Sequence, residues 1–349
     1  MDSNQPKISI VITCYNYEKY IKTSIESVLN QDYANKELIV VDDVSSDSSR
    51  DIISRYDDRL VAVFHKENKG HGGAFNSGFA ATSGELVIFL DADDYLLPGA
   101  LDMAAANLST DCAIYMYRMD LVDAEGVAYD VFPKYENQFD PQEAKKDLLK
   151  YGRYQATVTS GLVFAQSFLD QVMPMDESAF RQGGDGYLVT LAPLYGAVAG
   201  FDSKLSAYRQ HGENHSGFNR ALLKRAEWCL EHNKQRYQAL AIHAQRTGDV
   251  LSENLGSKDI QHLEQQFCKL LFSDDKASLV KSRALIFNQA IKAIDLANYS
   301  RANKILIKIW WFLLRSLPRG NAQIVFAWRM SPLSRPLWLK KVARLIRRI

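Results

Sequence analysis

Three aspartates that follow an apolar run offer the plainest chemistry in this chain. Asp91, Asp93 and Asp94 come directly after residues 86–90, which read Leu-Val-Ile-Phe-Leu. Such a run predicts a strand buried on both faces of a parallel sheet. Neighbouring carboxylates repel one another, and a hard cation that bridges them to a phosphate would offset that repulsion. The pattern predicts a cation site at a strand end, although Asp94 could instead cap a helix.

Polar residues also follow the first two apolar runs, residues 7–13 and 38–41. They are Thr13, Tyr15, Asn16, Asp42 and Asp43. An aromatic ring and an amide suit stacking on and pairing with a nucleobase, and a carboxylate accepts hydrogen bonds from a base N–H or a ribose hydroxyl. Asp42 and Asp43 are explained equally well as the solvated end of a strand.

The elements between these motifs place them at one edge. Apolar residues at helical spacing, such as Ile21, Ile25 and Val28, predict helices between the strands. Alternation of strand and helix predicts a doubly wound α/β fold, with a mixed, mostly parallel sheet. Ligands of such sheets bind beyond the carboxyl ends of the strands. We therefore expect one rim that carries a nucleoside at the first two strands and a diphosphate with its metal at the fourth.

A glycine-rich segment, residues 68–73, follows the third apolar run. It does not fit the dinucleotide-binding pattern G-x-G-x-x-G, and it follows the third strand rather than the first. The chain also lacks a Walker A lysine. Asn68, taken alone, is explained by a turn or a helix cap.

The order of these motifs resembles the family 2 glycosyltransferases, which have the GT-A fold. The matching motifs are Tyr15-Asn16, Val41-Asp42-Asp43, Asn68-Lys69-Gly70 with Asn76 and Gly78, and Asp91-Ala92-Asp93-Asp94. The resemblance covers residues 6–217 and implies an inverting transfer of a sugar from a nucleoside diphosphate donor, often a UDP-sugar. It also implies Mn²⁺ or Mg²⁺ as cofactor.

The resemblance assigns roles to individual residues. Those it implies for binding the donor are Thr13, Tyr15, Asn16, Asp42, Asp43, Asn68, Asp91 and Ala92. It implies that Asp93, with Asp91, binds the metal, and that Asp91 contacts the ribose or the sugar. Val44 departs from the family, which has glycine there. Because a β-branched residue resists positive φ, we expect a different turn after the second strand.

Inverting transfer needs a base that takes the proton of the acceptor hydroxyl. Residues 173–177 and 183–188 resemble the block that carries this base in the family, and on that match Asp185 is the base. Asp185 could instead only cap the helix that starts there. Gly184 stands where the family has glutamate, which leaves the class of acceptor open.

His211 lies in a segment, residues 208–216, that resembles the end of the catalytic domain in many relatives. A neutral imidazole suits Mn²⁺, and so His211 is a candidate metal ligand or diphosphate contact. A lone surface histidine with no such role is the alternative.

The remainder of the chain divides into a helical region, 218–303, and a basic amphipathic segment, 304–349. No acidic residue follows Asp295, whereas twelve of the 42 basic residues do. Trp310, Trp311 and Phe312 amid these bases are typical of an interfacial helix, which predicts docking on a membrane surface. A helical pair packed on the catalytic domain is the alternative. The apolar tail and the acidic main domain argue against nucleic acid as a partner.

The N-terminus is polar and acidic, so no signal peptide is expected, and no apolar run reaches the roughly 20 residues of a spanning helix. The four cysteines are scattered, which favours a reducing compartment. These features predict a cytoplasmic enzyme, peripheral at the inner face of the cell membrane.

We therefore predict a GT-A domain over 1–217 that transfers a sugar to a glycan or lipid-linked acceptor. The alternative from another class is a catalytically silent nucleotide-sugar-binding or scaffold protein of a glycan assembly complex.

Overall fold

The computed structural model describes residues 5–134, 139–211, 222–272, 279–297 and 299–330. Contacts divide the chain into two compact units. The first comprises Met1–His211 and Gln235–Leu251, and the second comprises Gly212–Lys234 and Ser252–Ile349. The boundary expected between residues 217 and 218 lies outside the described residues, so the division into three segments stays a prediction.

The strands and helices alternate in the first hundred residues, as predicted. The strands are β1 Ile8–Cys14, β2 Lys36–Asp42, β3 Val61–Phe64, β4 Leu86–Asp91, β5 Tyr95–Leu96, β6 Cys112–Val122, β7 Ala128–Phe132, β8 Leu162–Ala165 and β9 Ala197–Arg209. The helices are α1 Ile21–Leu29, α2 Ser49–Ser54, α3 Gly70–Phe79, α4 Ala100–Ala106, α5 Pro141–Tyr151, α6 Gln166–Val172, α7 Gly184–Tyr195, α8 Leu222–Thr247, α9 Ile260–Phe272, α10 Leu279–Leu296, α11 Arg301–Ser316 and α12 Arg319–Met330.

A mixed sheet forms the centre of the first unit. Its order is β3-β2-β1-β4-β8-β6-β9-β5, with β7 on the edge of β6. The first four strands in that order run parallel, while β8 joins β4 and β6 antiparallel. Every residue of β1 is buried, because helices cover both faces of this part of the sheet. The predicted doubly wound, mixed sheet is thus confirmed.

The glycine at position 78 lets α3 lie close to the sheet. A Cβ placed on Gly78 would come within 2.2 Å of Cγ1 of Val11, in the middle of β1. A side chain at this position would therefore push the helix away from the strand. The close approach brings the N-terminal end of α3 near the carboxyl ends of the parallel strands.

In the turn between β2 and α2, Val44 adopts a left-handed backbone conformation although it is β-branched. Val44 has φ +69°, and Asn16, which faces this turn, has φ +61°. The expectation that a valine would change the turn is therefore wrong. The backbone instead takes the conformation that glycine favours, at a conformational cost of about 1–3 kcal/mol for a residue of this kind.

Helices α9 to α12 build the core of the second unit. Trp311 is fully buried, and its ring meets Phe267 edge to face, with centroids 5.2 Å apart. Trp310 is half-buried against Phe326, with centroids 5.7 Å apart. Phe312, by contrast, is 60% exposed. The expectation of an aromatic trio facing a membrane is therefore wrong for the two tryptophans, because they pack into the helical core. Within the described residues, no helix has both the length and the apolar content to cross a membrane.

Replacing Val44 with glycine is expected to stabilise the first unit by about 1 kcal/mol, because glycine adopts positive φ without steric cost. Urea denaturation of both proteins measures this difference. Val44→Ala serves as the control, since alanine removes the branched side chain and still resists the left-handed conformation. An equal gain from both variants, or a loss with glycine, would contradict the strain assigned to Val44.

Candidate active site

The carboxyl ends of β1, β2 and β4 meet at one rim, as the sequence predicts. In the parallel register Cys14 lies opposite Asp42, and Thr13 lies opposite Asp91. Thr13 is nearly buried, whereas Tyr15, just beyond β1, is 50% exposed. The Tyr15 ring is therefore open to a stacking partner, and Thr13 lies near the carboxyl end of β1, opposite Asp91.

The three aspartates that follow β4 lie together. Each offers an oxygen within 4.8 Å of the other two, and Asp93 and Asp94 are buried. Burial raises the pKa of Asp94 well above its usual range, and the carboxylates of Asp93 and Asp91 raise it further. Oδ2 of Asp94 is also buried without a hydrogen-bond partner. A bound cation would relieve this repulsion, and so the donor set fits a divalent metal.

Asp94 does not cap the helix that follows it. Helix α4 begins later, after Gly99 with φ +76°, and it has no side-chain cap. Oδ1 of Asp94 instead accepts the backbone N–H of Arg209, at 2.8 Å. Asp94 therefore joins the aspartate loop to the end of β9, and the helix-cap interpretation is wrong.

The predicted metal ligand His211 lies beside the aspartates, although it is far from them in the sequence. Its Nε2 lies 3.0 Å from Oδ2 of Asp93, and both side chains are less than a tenth exposed. The ring of Tyr20 covers the imidazole, with centroids 4.8 Å apart. The structure thus brings together the three side chains predicted for the metal, Asp91, Asp93 and His211.

Arg209 locks this loop in place. The side chain is buried, and its Nε donates to the carbonyl oxygen of Asp93 at 2.9 Å. Its Nη1 donates to the carbonyl oxygen of Ala124 at 2.8 Å. The guanidinium also lies over the rings of Tyr20 and Tyr95, 4.9 and 5.4 Å from their centroids. A single cation therefore joins three loops around the aspartates.

Asp43 holds the glycine-rich segment rather than facing the cleft. Its Oδ1 accepts the backbone N–H of Lys69, and its Oδ2 accepts that of Gly70, both at 2.7 Å. Nδ1 of His65 lies 2.7 Å from Oδ1 of Asp43, and its Nε2 lies 2.8 Å from Oγ of Ser77. The carboxylate is therefore committed to shaping the rim, and its direct contact with a nucleoside stays a prediction.

Asp42 is likewise turned into the protein. It is fully buried, and its Oδ1 accepts from the backbone N–H of Ser45 at 3.1 Å and from Nε of Arg50 at 2.6 Å. Asn16 pins the same turn from β1, because its Oδ1 accepts the backbone N–H of Ser46 at 2.7 Å. These side chains hold the turn at the rim in place. The interpretation of Asp42 as the solvated end of a strand is wrong.

Asn68 and Ala92 complete the set of residues expected to bind the donor. Nδ2 of Asn68 donates to the carbonyl oxygen of Asp43 at 2.8 Å, and its Oδ1 accepts from Arg181 at 2.5 Å. Ala92 is fully buried between the aspartates. Both therefore have a structural role in the described contacts, and donor binding by them stays a prediction.

The N-terminus of α3 is closed by protein groups. The backbone N–H of His71 donates to the carbonyl oxygen of Arg181 at 2.8 Å, and that of Gly72 donates to Phe180 at 3.1 Å. Because the two preceding N–H groups bind Asp43, no donor of this first turn is left for a phosphate. This agrees with the rejection of a dinucleotide-binding loop.

Asp185 lies in the first turn of α7, whose N-cap is Gly183 with φ +76°. The carboxylate is half-buried and has no hydrogen-bond partner among the described residues. Asp185 is therefore not the cap of this helix. Burial raises the pKa of Asp91, and the Asp93 and Asp185 carboxylates add to that rise, which places Asp185 beside the aspartate cluster.

Two residues of the site were not predicted from the sequence. Arg209 binds carbonyl groups 116 and 85 residues earlier in the chain, and such distant partners leave no local pattern. Nε2 of His71 lies 3.5 Å from Oδ1 of Asp91. Burial lowers the pKa of His71, but the carboxylates of Asp91 and Asp185 outweigh it and raise the pKa overall. For Arg209, the only available sequence signal was a charged residue in strand β9.

Comparison with known proteins identifies the class. Residues 9–169 match the model of Glycosyl transferase family 2. An uncharacterized glycosyltransferase of Nostoc sp. is 34% identical over 60% of this chain and 66% of its own length. A GalNAc(5)-diNAcBac-PP-undecaprenol beta-1,3-glucosyltransferase of Campylobacter jejuni is 33% identical over 41% of this chain and 48% of its own. The Escherichia coli UDP-Glc:alpha-D-GlcNAc-diphosphoundecaprenol beta-1,3-glucosyltransferase WfgD is 38% identical over 32% and 41%.

Among solved structures, S. aureus TarS 1-349 in complex with UDP-GlcNAc is similar, with a TM-score of 0.58 over 92% of this chain and 90% of that one. At 17% identity this likeness concerns the fold alone. The chain spans less than two thirds of each of the three sequence relatives. Residues 9–169 therefore form a glycosyl transferase family 2 domain, and the fold is the predicted GT-A fold with a helical C-terminal region.

Replacing Arg209 with methionine is expected to lower the free energy of unfolding by about 3 kcal/mol, because buried carbonyl acceptors at Asp93 and Ala124 lose a charged donor. Urea denaturation measures the loss. The control is Arg118→Met, since Arg118 pairs with the largely exposed Asp202 and such pairs contribute less than about 1 kcal/mol. Equal losses in the two variants would contradict the anchoring role of Arg209.

Proposed function

We propose that this protein is a metal-dependent, inverting glycosyltransferase. Its donor is a nucleoside diphosphate sugar, with a UDP-sugar as the first candidate, and its acceptor is a lipid-linked glycan. One observation carries the proposal. The aspartate cluster at the end of β4 and the first turn of α7, which carries Asp185, are joined through His71, whose Nδ1 accepts the backbone N–H of Gly184 at 3.2 Å and whose Nε2 lies 3.5 Å from Oδ1 of Asp91.

The aspartate cluster supplies the donor end of the proposed site. Asp91, Asp93 and His211 would hold a divalent cation, Mn²⁺ or Mg²⁺, which when bound neutralises the charge that develops on the leaving diphosphate. Asp94 and Arg209 hold the loop that carries the two aspartates in position. Asp91 is 32% exposed, so one of its oxygens can also meet the ribose or the sugar.

Asp185 supplies the acceptor end. Its carboxylate takes the proton of the acceptor hydroxyl while that oxygen forms a bond to the anomeric carbon of the sugar. The bond from the anomeric carbon to the diphosphate breaks on the opposite face, and the electron pair leaves with the diphosphate. Attack and departure on opposite faces invert the anomeric configuration. A half-buried carboxylate without a hydrogen-bond partner among the described residues is suited to this role.

The rim formed by β1 and β2 supports a nucleoside. The exposed Tyr15 ring suits stacking on a base, and Thr13 near the end of β1 offers a hydroxyl. Asn16, Asp42 and Asp43 hold the surrounding turns in fixed positions. We propose that the first two residues contact the nucleoside and that the other three keep the pocket in shape.

The names of the relatives support the acceptor class. The Campylobacter jejuni and Escherichia coli enzymes are named for acceptors that carry a sugar on undecaprenol through a diphosphate. Such an acceptor is anchored in a membrane, so the protein needs access to a lipid surface. The working location that follows is the cytoplasmic face of the cell membrane, where nucleotide sugars are available.

Helix α11 offers a surface for this contact. Ile305, Ile309 and Phe312 lie at helical spacing on one face, and they are 59%, 52% and 60% exposed. Leu306 and Leu313 border them and are 49% and 41% exposed. An apolar face of this kind on a surface helix marks an interaction site.

Charge supports an anionic lipid surface as the occupant of this face. Lys304, Lys308 and Arg315 lie at helical spacing along one border of the apolar face. No acidic residue follows Asp295 in the sequence, and the carboxylate of Asp295 is itself paired with Lys308. Each base near such a surface contributes about 1 kcal/mol, and the apolar side chains add their burial in the headgroup region.

The alternative is a catalytically silent protein that binds a nucleotide sugar within a glycan assembly complex. Gly184, in place of the glutamate usual in the family, favours it. The aspartate cluster and Asp185, both present, favour the enzyme. Release of sugar from donor distinguishes the two, because a silent protein binds the donor without cleaving it.

Replacing Asp185 with asparagine is expected to lower kcat by about 10²–10⁴-fold, the range for loss of a general base, and to leave the donor dissociation constant unchanged. Donor cleavage is measured across a panel of UDP- and GDP-sugars with Mn²⁺, with Mg²⁺ and with EDTA, in the presence and absence of lipid-linked acceptors. The control is Asp170→Asn, which changes an exposed aspartate on α6.

Full turnover by Asp185→Asn would contradict the assignment of the base. Binding of a nucleotide sugar by the wild type, with no cleavage under any metal, would instead establish the silent alternative. Turnover that persists in EDTA would contradict the proposed metal dependence.

A triple variant of the full chain, Ile305→Ser with Ile309→Ser and Phe312→Ser, is expected to bind anionic phosphatidylglycerol vesicles at least tenfold more weakly than the wild type, because the apolar contact is lost. Vesicle sedimentation measures this, and donor cleavage in solution should be unaffected. Ile242→Ser is the control, since Ile242 is 52% exposed on α8. Unchanged sedimentation would contradict the surface, and a change in oligomeric state alone would identify the face as a contact between two copies.

A further inference from the structure

His71, the second residue of α3, lies between the two ends of the proposed site. Its Nδ1 accepts the backbone N–H of Gly184 at 3.2 Å, and Gly184 is the first residue of α7. Its Nε2 lies 3.5 Å from Oδ1 of Asp91. One imidazole therefore joins the helix that carries Asp185 to the strand end that carries Asp91.

The two contacts define how the ring is protonated. A backbone N–H needs a lone pair on Nδ1, so the neutral ring carries its proton on Nε2. This proton points toward Asp91. Nε2 is also buried and lacks a hydrogen bond of full strength, because 3.5 Å is longer than an ordinary N–H···O contact. A small shift of Asp91 toward the ring completes the bond.

The ring cannot turn away from these partners. It packs edge to face on Phe75, with centroids 4.2 Å apart, and Phe75 stacks on Phe89 of β4 at 4.0 Å. The backbone N–H of His71 also donates to the carbonyl oxygen of Arg181, on the segment that leads into α7. The backbone and the side chain of His71 therefore both tie α3 to the segment in which α7 begins.

We propose that His71 is a positioning residue that sets the place of Asp185 through Nδ1 and the orientation of Asp91 through Nε2–H. This inference rests on the proposed function, since it gives each nitrogen a separate effect on the same reaction. Loss of the Nδ1 contact releases the first turn of α7 and misplaces the base. Loss of the Nε2–H contact releases the carboxylate at the donor end.

Two variants separate the two nitrogens. Asparagine places its Oδ1 near the position of Nδ1, so His71→Asn keeps an acceptor for Gly184 and loses the donor to Asp91. Glutamine places its Nε2 near that of histidine, so His71→Gln keeps the donor and loses the acceptor. We expect a donor KM about tenfold higher with kcat nearly unchanged for asparagine, and a kcat about tenfold lower with KM nearly unchanged for glutamine, the size of one hydrogen bond.

A merely structural histidine would not produce this split. His243, a buried histidine whose Nδ1 lies 2.6 Å from the hydroxyl of Tyr195, is the matched control. Its asparagine and glutamine variants should lower the melting temperature without separating kcat from KM. The same parallel behaviour in both His71 variants, or no effect in either, would overturn the proposal.

The tautomer provides a readout that needs no turnover. In protein labelled with ¹⁵N-histidine, at an alkaline pH where the ring is neutral, we expect His71 to show a protonated Nε2 and an unprotonated Nδ1. The opposite tautomer would overturn the positioning role even in an active enzyme. The expected tautomer in a protein that cleaves no donor would refute the proposed function and leave the contact to Gly184 in place.

Discussion

Repulsion among three carboxylates at the end of a buried strand is the constraint on which this structure depends. The carboxylate of Asp93 adds to the rise that burial causes in the pKa of Asp91 and of Asp94, and Asp93 and Asp94 are buried. Positive and hydrogen-bonding groups from distant parts of the chain surround them. Arg209 and His211 arrive at the end of β9, and His71 arrives at the start of α3. The end of the long strand β9 therefore brings two of these three partners to the aspartates.

The aspartates of the rim divide into those that shape the protein and those that face the cleft. Both oxygens of Asp43 and Oδ1 of Asp42 contact backbone N–H groups, Arg50 or His65, whereas Oδ2 of Asp42 is buried without a hydrogen-bond partner among the described residues. Asp185 lies at a helix start with its carboxylate unengaged by described residues. Burial and local donors decide the role of each carboxylate, since a group already satisfied by the protein has little left for a ligand.

The second unit follows a different rule. Helix α11 has two apolar faces, and a core of helices covers one of them. Ile307, Trp311 and Leu314 lie in that core, whereas Ile305, Ile309 and Phe312 face outward. A helix that is apolar on nearly all sides needs a second apolar surrounding. The occupant that we propose for the outward face is an anionic lipid surface.

The sequence by itself determined the parallel strands, their order of motifs and the rim at which polar residues gather. Unbroken apolar runs such as 86–90 predict strands that are buried in a parallel sheet. In a doubly wound fold the carboxyl ends of these strands lie at one edge. The sequence also identified candidate site residues, namely Asp91, Asp93, His211 and Asp185, because they match motifs that occur in the same order in the family.

Only the tertiary structure decided what each candidate touches. Asp94 turned from a helix cap into a partner of β9, Trp311 turned from a surface anchor into a core residue, and Val44 took the conformation of glycine. Neither Arg209 nor His71 was identified from the sequence as part of the site. The reason is physical: these roles depend on contacts between residues far apart in the chain, and neither periodicity nor a local motif records which distant groups will meet when the chain is packed.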